Sequence, residues 1–145
     1  MVVDAGNYYP SRDGSIQSID SGLTESEWVG QVLGCPVVKA FNNITAGSLA
    51  ALPLPAGSPK RICLSVAGDD QRSKELVLEL IDAVGFDAID AGPLSESWRQ
   101  QPGTPAYCRD LGRDELKAAL AQADPRLIAT YRGEADEIAR PYFTR

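Results

Sequence analysis

The sequence contains no histidine. That absence removes Ser-His-Asp and Cys-His nucleophilic catalysis, and it takes away the commonest ligand of zinc and iron sites. The chain also lacks a Gly-x-Gly-x-x-Gly turn and a phosphate-loop lysine motif, so its own residues carry no sign of dinucleotide phosphate binding. Its three cysteines, Cys35, Cys63 and Cys108, are dispersed and form no Cys-x-x-Cys pair. An odd, scattered set reads as reduced core fillers in a cytoplasmic protein. Apolar runs are only a few residues long, far short of a membrane span, and no basic region precedes an apolar stretch at the start. No membrane partner is expected. Lys and Arg stand singly apart from Lys60-Arg61, and 20 acidic against 14 basic side chains leave a formal charge of −6. Without a basic face the chain is a poor nucleic-acid binder, because phosphate contacts supply most of that affinity.

What is present suits one soluble domain of 145 residues, 43% apolar and 23% charged. The run Val37-Val38-Lys39-Ala40-Phe41 is β-branched and aromatic, as a buried strand requires, and it stops at two turn-forming amides, Asn42 and Asn43. In α/β proteins ligands bind outside the carboxyl ends of strands, so this is the first place to look for a site. Residues 62–68 read as a second buried strand and residues 86–92 as a third. The helix between them, about 71–84, carries Leu76, Val77, Leu80, Ile81 and Val84 at helical spacing. Asp69 or Asp70 caps it. Residues 62–92 are therefore a βαβ candidate. Residues 1–7 read as the end of a further strand.

Thr24-Glu25-Ser26-Glu27 forms a capping box. The helix it opens should bury Trp28, Val29, Val32 and Leu33 before Gly34 closes it. Residues 8–21 are turn-rich, and residues 44–51 suit a short helix. Residues 93–112 form a long irregular segment, and a loop of that length is either functional or mobile. A helix over 113–123 ends at Pro125, and a weaker one runs on to about 139.

Four strand ends carry polar or glycine residues: Asn7, Asn42-Asn43, Gly68-Asp69-Asp70 and Asp90-Ala91-Gly92. If the strands share one direction, these ends line one rim. Each of them also reads simply as a turn or helix cap, and for the Asp69-Asp70 pair capping is the favoured reading, ahead of a paired-carboxylate hydrolase; an acidic hydrolase using Asp69 or Asp90 is a third option. Trp98 and Tyr107 either pin the long loop to the body of the fold or stack on a planar ligand, with nothing to separate the two. Lys39, inside an apolar strand, reads as an edge position or a snorkelling stem.

Five motifs occur in order: Asp4-Ala5-Gly6-Asn7-Tyr8-Tyr9-Pro10, residues 37–43, Val66-Ala67-Gly68-Asp69-Asp70, residues 85–94, and Trp98-Arg99-Gln100-Gln101-Pro102-Gly103-Thr104-Pro105-Ala106-Tyr107. Together they resemble the C-terminal portion of the deazaflavin (coenzyme F-420)-dependent NADP oxidoreductase family and its bacterial NAD(P)-binding relatives. The oxidoreductase domain of the six-transmembrane metalloreductases is a more distant relation. The resemblance covers most of residues 1–110. It implies an α/β fold, a partial Rossmann-like three-layer sheet of about four strands, parallel or mixed, with flanking helices. Residues 1–112 would be the oxidoreductase domain and 113–145 a helical tail.

The same resemblance implies NADP as cofactor and a small-molecule hydride acceptor, flavin-like in kind. Asn7, Ala40, Phe41 and Asn42 would hold the nicotinamide, with the Ala40 backbone on its carboxamide. Gly68, Asp69 and Trp98 would border the acceptor. Hydride transfer between two bound rings needs positioning and no protein acid or base, which agrees with a histidine-free chain. Family members place a glycine-rich phosphate turn before the segment that begins here, so the expectation is a truncated or split form that binds NADP weakly or not at all alone. The alternative is a non-catalytic interaction module or relic. It would expose an unpaired sheet edge through which it forms a homodimer or takes up a complementing chain.

Overall fold

The structure, a computed structural model, describes residues 1–143. Its elements run in α/β order. Strand β1 (Val2–Asp4) is followed by two short helices, α1 (Pro10–Asp13) and α2 (Gln17–Asp20), and by α3 (Glu25–Leu33). Then come β2 (Val37–Lys39), α4 (Ala46–Ala51), β3 (Cys63–Val66), α5 (Gln71–Ala83) and β4 (Asp87–Asp90). A 3-10 helix covers Leu94–Gln100, α6 covers Arg113–Gln122, a 3-10 turn covers Pro125–Leu127, and α7 covers Ile128–Phe143.

The strands pair in two parallel ribbons. β1 lies against β2 with Val2 opposite Val37, and β3 lies against β4 with Cys63 opposite Asp87. The ribbons meet through one antiparallel bridge, where Lys39 and Ala67 exchange backbone hydrogen bonds at 2.8 and 3.0 Å. The fold is thus Rossmann-like α/β with a mixed sheet. Both faces of β3 and β4 are covered. Leu64 and Val66 join Val77 and Ile81 of α5 and Phe86 in one core, while Cys63 and Ile89 join Leu116, Ala119 and Leu120 of α6 in another. α6 therefore closes the second face of the sheet, and α7 packs on α1.

Local signals explain most of the elements. Thr24 and Glu27 form the reciprocal capping box at α3, and Gly34 ends that helix in the left-handed conformation. Asp70 caps α5 by accepting the Ser73 amide at 2.7 Å. Pro125 stops the helical run after α6 and starts a 3-10 turn.

Several expectations need correction. The strands do not all share one direction, so the four polar strand ends do not form one rim. Because β2 and β3 run antiparallel at their bridge, Gly68 lies beside Val37 and Val38 at the start of β2, while Asn42 lies beyond its end. Lys39 is neither an edge residue nor a snorkelling one. It is 0% exposed, because its strand sits between β1 and β3. α3 turns its N-terminal polar residues inward, burying Glu25 and Ser26, and leaves Val32 63% and Leu33 53% exposed. Leu76, Leu80 and Val84 likewise form an exposed ridge on α5, and Lys74 takes a buried place beside Val77 and Ile81.

The turn-rich stretch after Tyr8 contains two one-turn helices: Pro10 opens α1, where Asp13 accepts from the Tyr9 amide, and α2 has no side-chain cap. The long segment after Pro93 is packed. Its Ser97, Trp98, Gln100, Gln101, Thr104 and Ala106 are all buried.

Candidate functional site

The end of β2 is the centre of the polar organisation. Past Lys39 the chain buries Ala40, and Phe41 then adopts a left-handed backbone with φ of 65°. A bulky residue in that region costs about 1–3 kcal/mol, and such strain gathers at functional sites. The kink brings Asn42 and Asn43 into different jobs. The Asn43 side chain accepts from the Ser65 amide at 3.3 Å and donates to the Cys63 carbonyl at 3.4 Å, so it acts as a substitute strand partner for β3. Asn42 Nδ2 donates to Asn7 Oδ1 at 3.2 Å and to the Gln100 carbonyl. Asn7, from the loop after β1, and the end of the 3-10 helix therefore meet at the end of β2.

Ala40 and Asn42 are buried, whereas Asn7 and Phe41 are partly open. The Ala40 amide donates to the Asp4 carbonyl at 3.1 Å, which leaves only its carbonyl for any other contact. Asn42 Oδ1 and both amide atoms of Gln100 are buried without hydrogen-bond partners among the described residues. Unpartnered buried amides are rare and call for an explanation, since each costs about 1–3 kcal/mol. Sequence reasoning missed Gln100. Its place in a loop rich in Gln, Pro and Gly gave no periodicity that could signal burial.

The residues expected at the acceptor side divide. Gly68 donates its amide to Gly92 at 3.1 Å, and Asp69 Oδ1 accepts from the Leu94 amide at 2.9 Å. These contacts fix the start of the 3-10 helix, at the opposite end of β2 from Asn42. Trp98 is buried, and the Arg99 guanidinium lies 4.5 Å from its ring centroid. Tyr107 meets Tyr9 through their hydroxyls at 2.6 Å. Both aromatic rings thus act as anchors of the loop. Asp90 pairs with Lys74 at 2.8 Å and accepts from the Gly92 amide. Burial would raise its carboxyl, but Lys74 and that amide hold it below the usual carboxylate value. Asp69 and Asp90 are therefore committed to structure.

Beneath Asn7 lies a charge cluster that residue types alone did not reveal. Lys39 Nζ donates to Asp4 Oδ2 at 3.2 Å and to the Gly6 carbonyl. Ser26 donates to the same Asp4 oxygen at 2.7 Å, and the Gly6 amide to Asp4 Oδ1 at 2.8 Å. Burial pushes the Asp4 carboxyl up, yet the Lys39 charge and these hydrogen bonds outweigh it and hold it low. Glu25 is the odd member. It is 4% exposed, and its carboxyl is raised to about 7 by burial, which Lys39 and the Tyr8 amide offset only in part. Asp4, Glu25, Gly6 and Asn7 border a half-open pocket of about 370 Å³. No cluster of metal-ligating side chains exists among the described residues. No helix among them is long and apolar enough to cross a membrane.

No family model matches the chain. The metalloreductase STEAP3 of Rattus norvegicus is 33% identical over 98 residues, which is 67% of this chain and 18% of that protein. The protein YjhV of Escherichia coli K12 is 46% identical over 57 residues, 39% of this chain and 42% of its own length. Among solved structures, the hypothetical protein SMa0349 of Sinorhizobium meliloti superposes with a TM-score of 0.63 at 32% identity, covering 78% of this chain and 55% of its own. A proposed F-420-dependent NADP-reductase of Arthrobacter sp. FB24 aligns over 49% of this chain and 32% of its own, at 26% identity and a TM-score of 0.41. Two thirds of the chain is thus similar to part of a metalloreductase, and its fold is shared with SMa0349. The chain spans about half or less of the length of each of these proteins.

Proposed function

We propose that this chain forms the nicotinamide-facing wall of an NADP-dependent oxidoreductase cleft. The observation that carries the reading is the left-handed Phe41. That turn brings the buried Asn42 amide onto Asn7, while the partly open Phe41 side chain packs against the apolar core around Val38 and Ala40. Asn7 and Phe41 would meet the nicotinamide directly, and Ala40 and Asn42 would support them from behind. The unpartnered Asn42 and Gln100 amide atoms lie buried behind this wall. When bound, NADPH supplies the hydride, and the protein's part is to orient and shield it. The acceptor would be a small molecule on the Trp98 side of the 3-10 helix, where Gln100 reaches Asn42. Gly68 and Asp69 would fix the far end of that helix.

No glycine-rich turn exists in the 145 residues to hold a pyrophosphate. This chain should therefore bind NADPH no better than in the millimolar range. Fluorescence titration of the purified chain with NADPH tests the reading, and saturation at micromolar concentration would refute it.

A second reading rests on a separate observation. β1 pairs only with β2 among the described residues, so its outer edge offers backbone groups to another strand. In that reading the chain is an interaction module that forms a homodimer or takes up a complementing chain. Sedimentation of a variant carrying Val3→Pro separates the two. Loss of an assembly with the fold retained favours the interaction module.

A further inference from the structure

The pocket behind Asn7 has a composition that selects a ligand class. Ile16, Ile19 and Trp28 supply apolar wall, and its only charged lining residues are three carboxylates, those of Asp4, Asp13 and Glu25. Two of the three are already neutralised. Asp4 is bound by Lys39, Ser26 and Gly6, and Asp13 pairs with Arg12 at 2.7 Å. Glu25 is not. Its Oε2 accepts one bond, from the Tyr8 amide at 3.2 Å, and its Oε1 has no partner among the described residues.

The charged groups around Glu25 are all engaged elsewhere. Lys39 of β2 is held by Asp4 and the Gly6 carbonyl. Arg132 of α7 lies 3.6 Å from Asp20 and over the Tyr8 ring, and Asp4 of β1 repels a second negative charge. A buried carboxylate without a cation is costly, and a ligand that brings a cation with N–H donors removes the cost. The volume of about 370 Å³ falls in the range of small-molecule sites. The Trp28 and Tyr8 rings suit a cation or an aromatic body.

We propose that this pocket binds a small organic cation, a primary ammonium on an aromatic or branched apolar body, with the Glu25 carboxylate in its wall as the acceptor. The pocket shares Asn7 with the proposed nicotinamide wall, but its cation requires only Glu25 and the apolar walls around it. Binding draws Glu25 into its ionised form. Because that carboxyl titrates near 7, complex formation at neutral pH releases a proton from the protein.

Calorimetric titration of the full chain with phenethylammonium chloride, and with phenethyl alcohol as the neutral comparator, tests the proposal. The ammonium should saturate the wild type, and the alcohol should bind at least about tenfold more weakly, the value of one charge-assisted contact. Glu25→Gln should lose at least about tenfold in ammonium affinity while its circular dichroism stays that of the wild type. Should that variant fail to fold, the wild type still decides. Its binding heat must vary with the buffer's ionisation enthalpy in the sense of proton release. Absence of saturation by the ammonium overturns the proposal, as does equal binding of the alcohol. Full affinity in a folded Glu25→Gln variant, or binding without proton release near pH 7, overturns it equally.

Discussion

Replacing Glu25 with Gln should make the protein more stable, and increasingly so as the pH rises. In the folded chain this carboxyl is raised from 4.5 to about 7 by burial. At about 1.4 kcal/mol per pH unit, ionised Glu25 opposes folding by about 3 kcal/mol. The sign follows from proton binding. Between its unfolded value and about 7 the folded protein holds a proton that the unfolded chain has lost, so wild-type stability falls across that interval and levels off above it. Glutamine keeps the shape and the acceptor for the Tyr8 amide without the charge. The other shifted groups act outside the window. Asp4, Asp13, Asp90 and Asp136 are held below 3.8, and Tyr8 and Tyr9 titrate above 10. Urea unfolding of both proteins from about pH 5 to pH 8 should show a small difference at the acid end and about 3 kcal/mol in favour of Glu25→Gln at the alkaline end. A difference that does not change with pH, or one that grows toward acid, would refute the assignment of Glu25 as a buried carboxyl without a cation.

Four further outcomes are expected. Lys39→Met leaves the Asp4 carboxylate buried without its cation and should cost about 3–5 kcal/mol, much of it recovered by adding Asp4→Asn, as read by urea unfolding. Asn43→Ala removes the side-chain bonds to Cys63 and Ser65 and should cost about 1–3 kcal/mol while raising amide exchange at Ser65. Gly103→Ala places a Cβ against the Tyr131 carbonyl at a φ of 83°, so the thermal midpoint should drop and the loop should detach from α7, visible as increased proteolysis near Gly103. Ile81→Ala should cost about 2–5 kcal/mol against less than about 1 kcal/mol for Leu80→Ala, the preceding residue of the same helix but on its exposed ridge.

The elements whose cause is local were legible. The Thr24 and Glu27 box, the Asp70 cap and the β-branched runs at Val37 and Ile62 each determine structure within a few residues. The parallel β3–α5–β4 unit follows from them. What stayed hidden depends on partners far along the chain. Lys39 is buried because Asp4 and Gly6, more than thirty residues earlier, close over its ammonium. Glu25 looks like a first-turn helix acid until Tyr8 and the β1–β2 ribbon enclose it. The antiparallel join between the ribbons rests on a single bridge, which no periodicity encodes. Val32 and Leu33 have an apolar pattern that promised a core, but among the described residues nothing covers that end of α3. At the site, residues 37–43 were legible as a strand ending in amides. The contact of Asn42 with Asn7 and Gln100, and the closure of Ala40 behind Phe41, required the three-dimensional arrangement.

The proposed nicotinamide wall is tested most directly by following the backbone amides of the isotope-labelled chain during titration with nicotinamide mononucleotide. Saturable shifts at Asn7, Phe41 and Asn42, with NADPH adding no more than a few-fold to the affinity, are the predicted result. Shifts that leave these residues untouched, or a NADPH affinity in the micromolar range, would contradict the account.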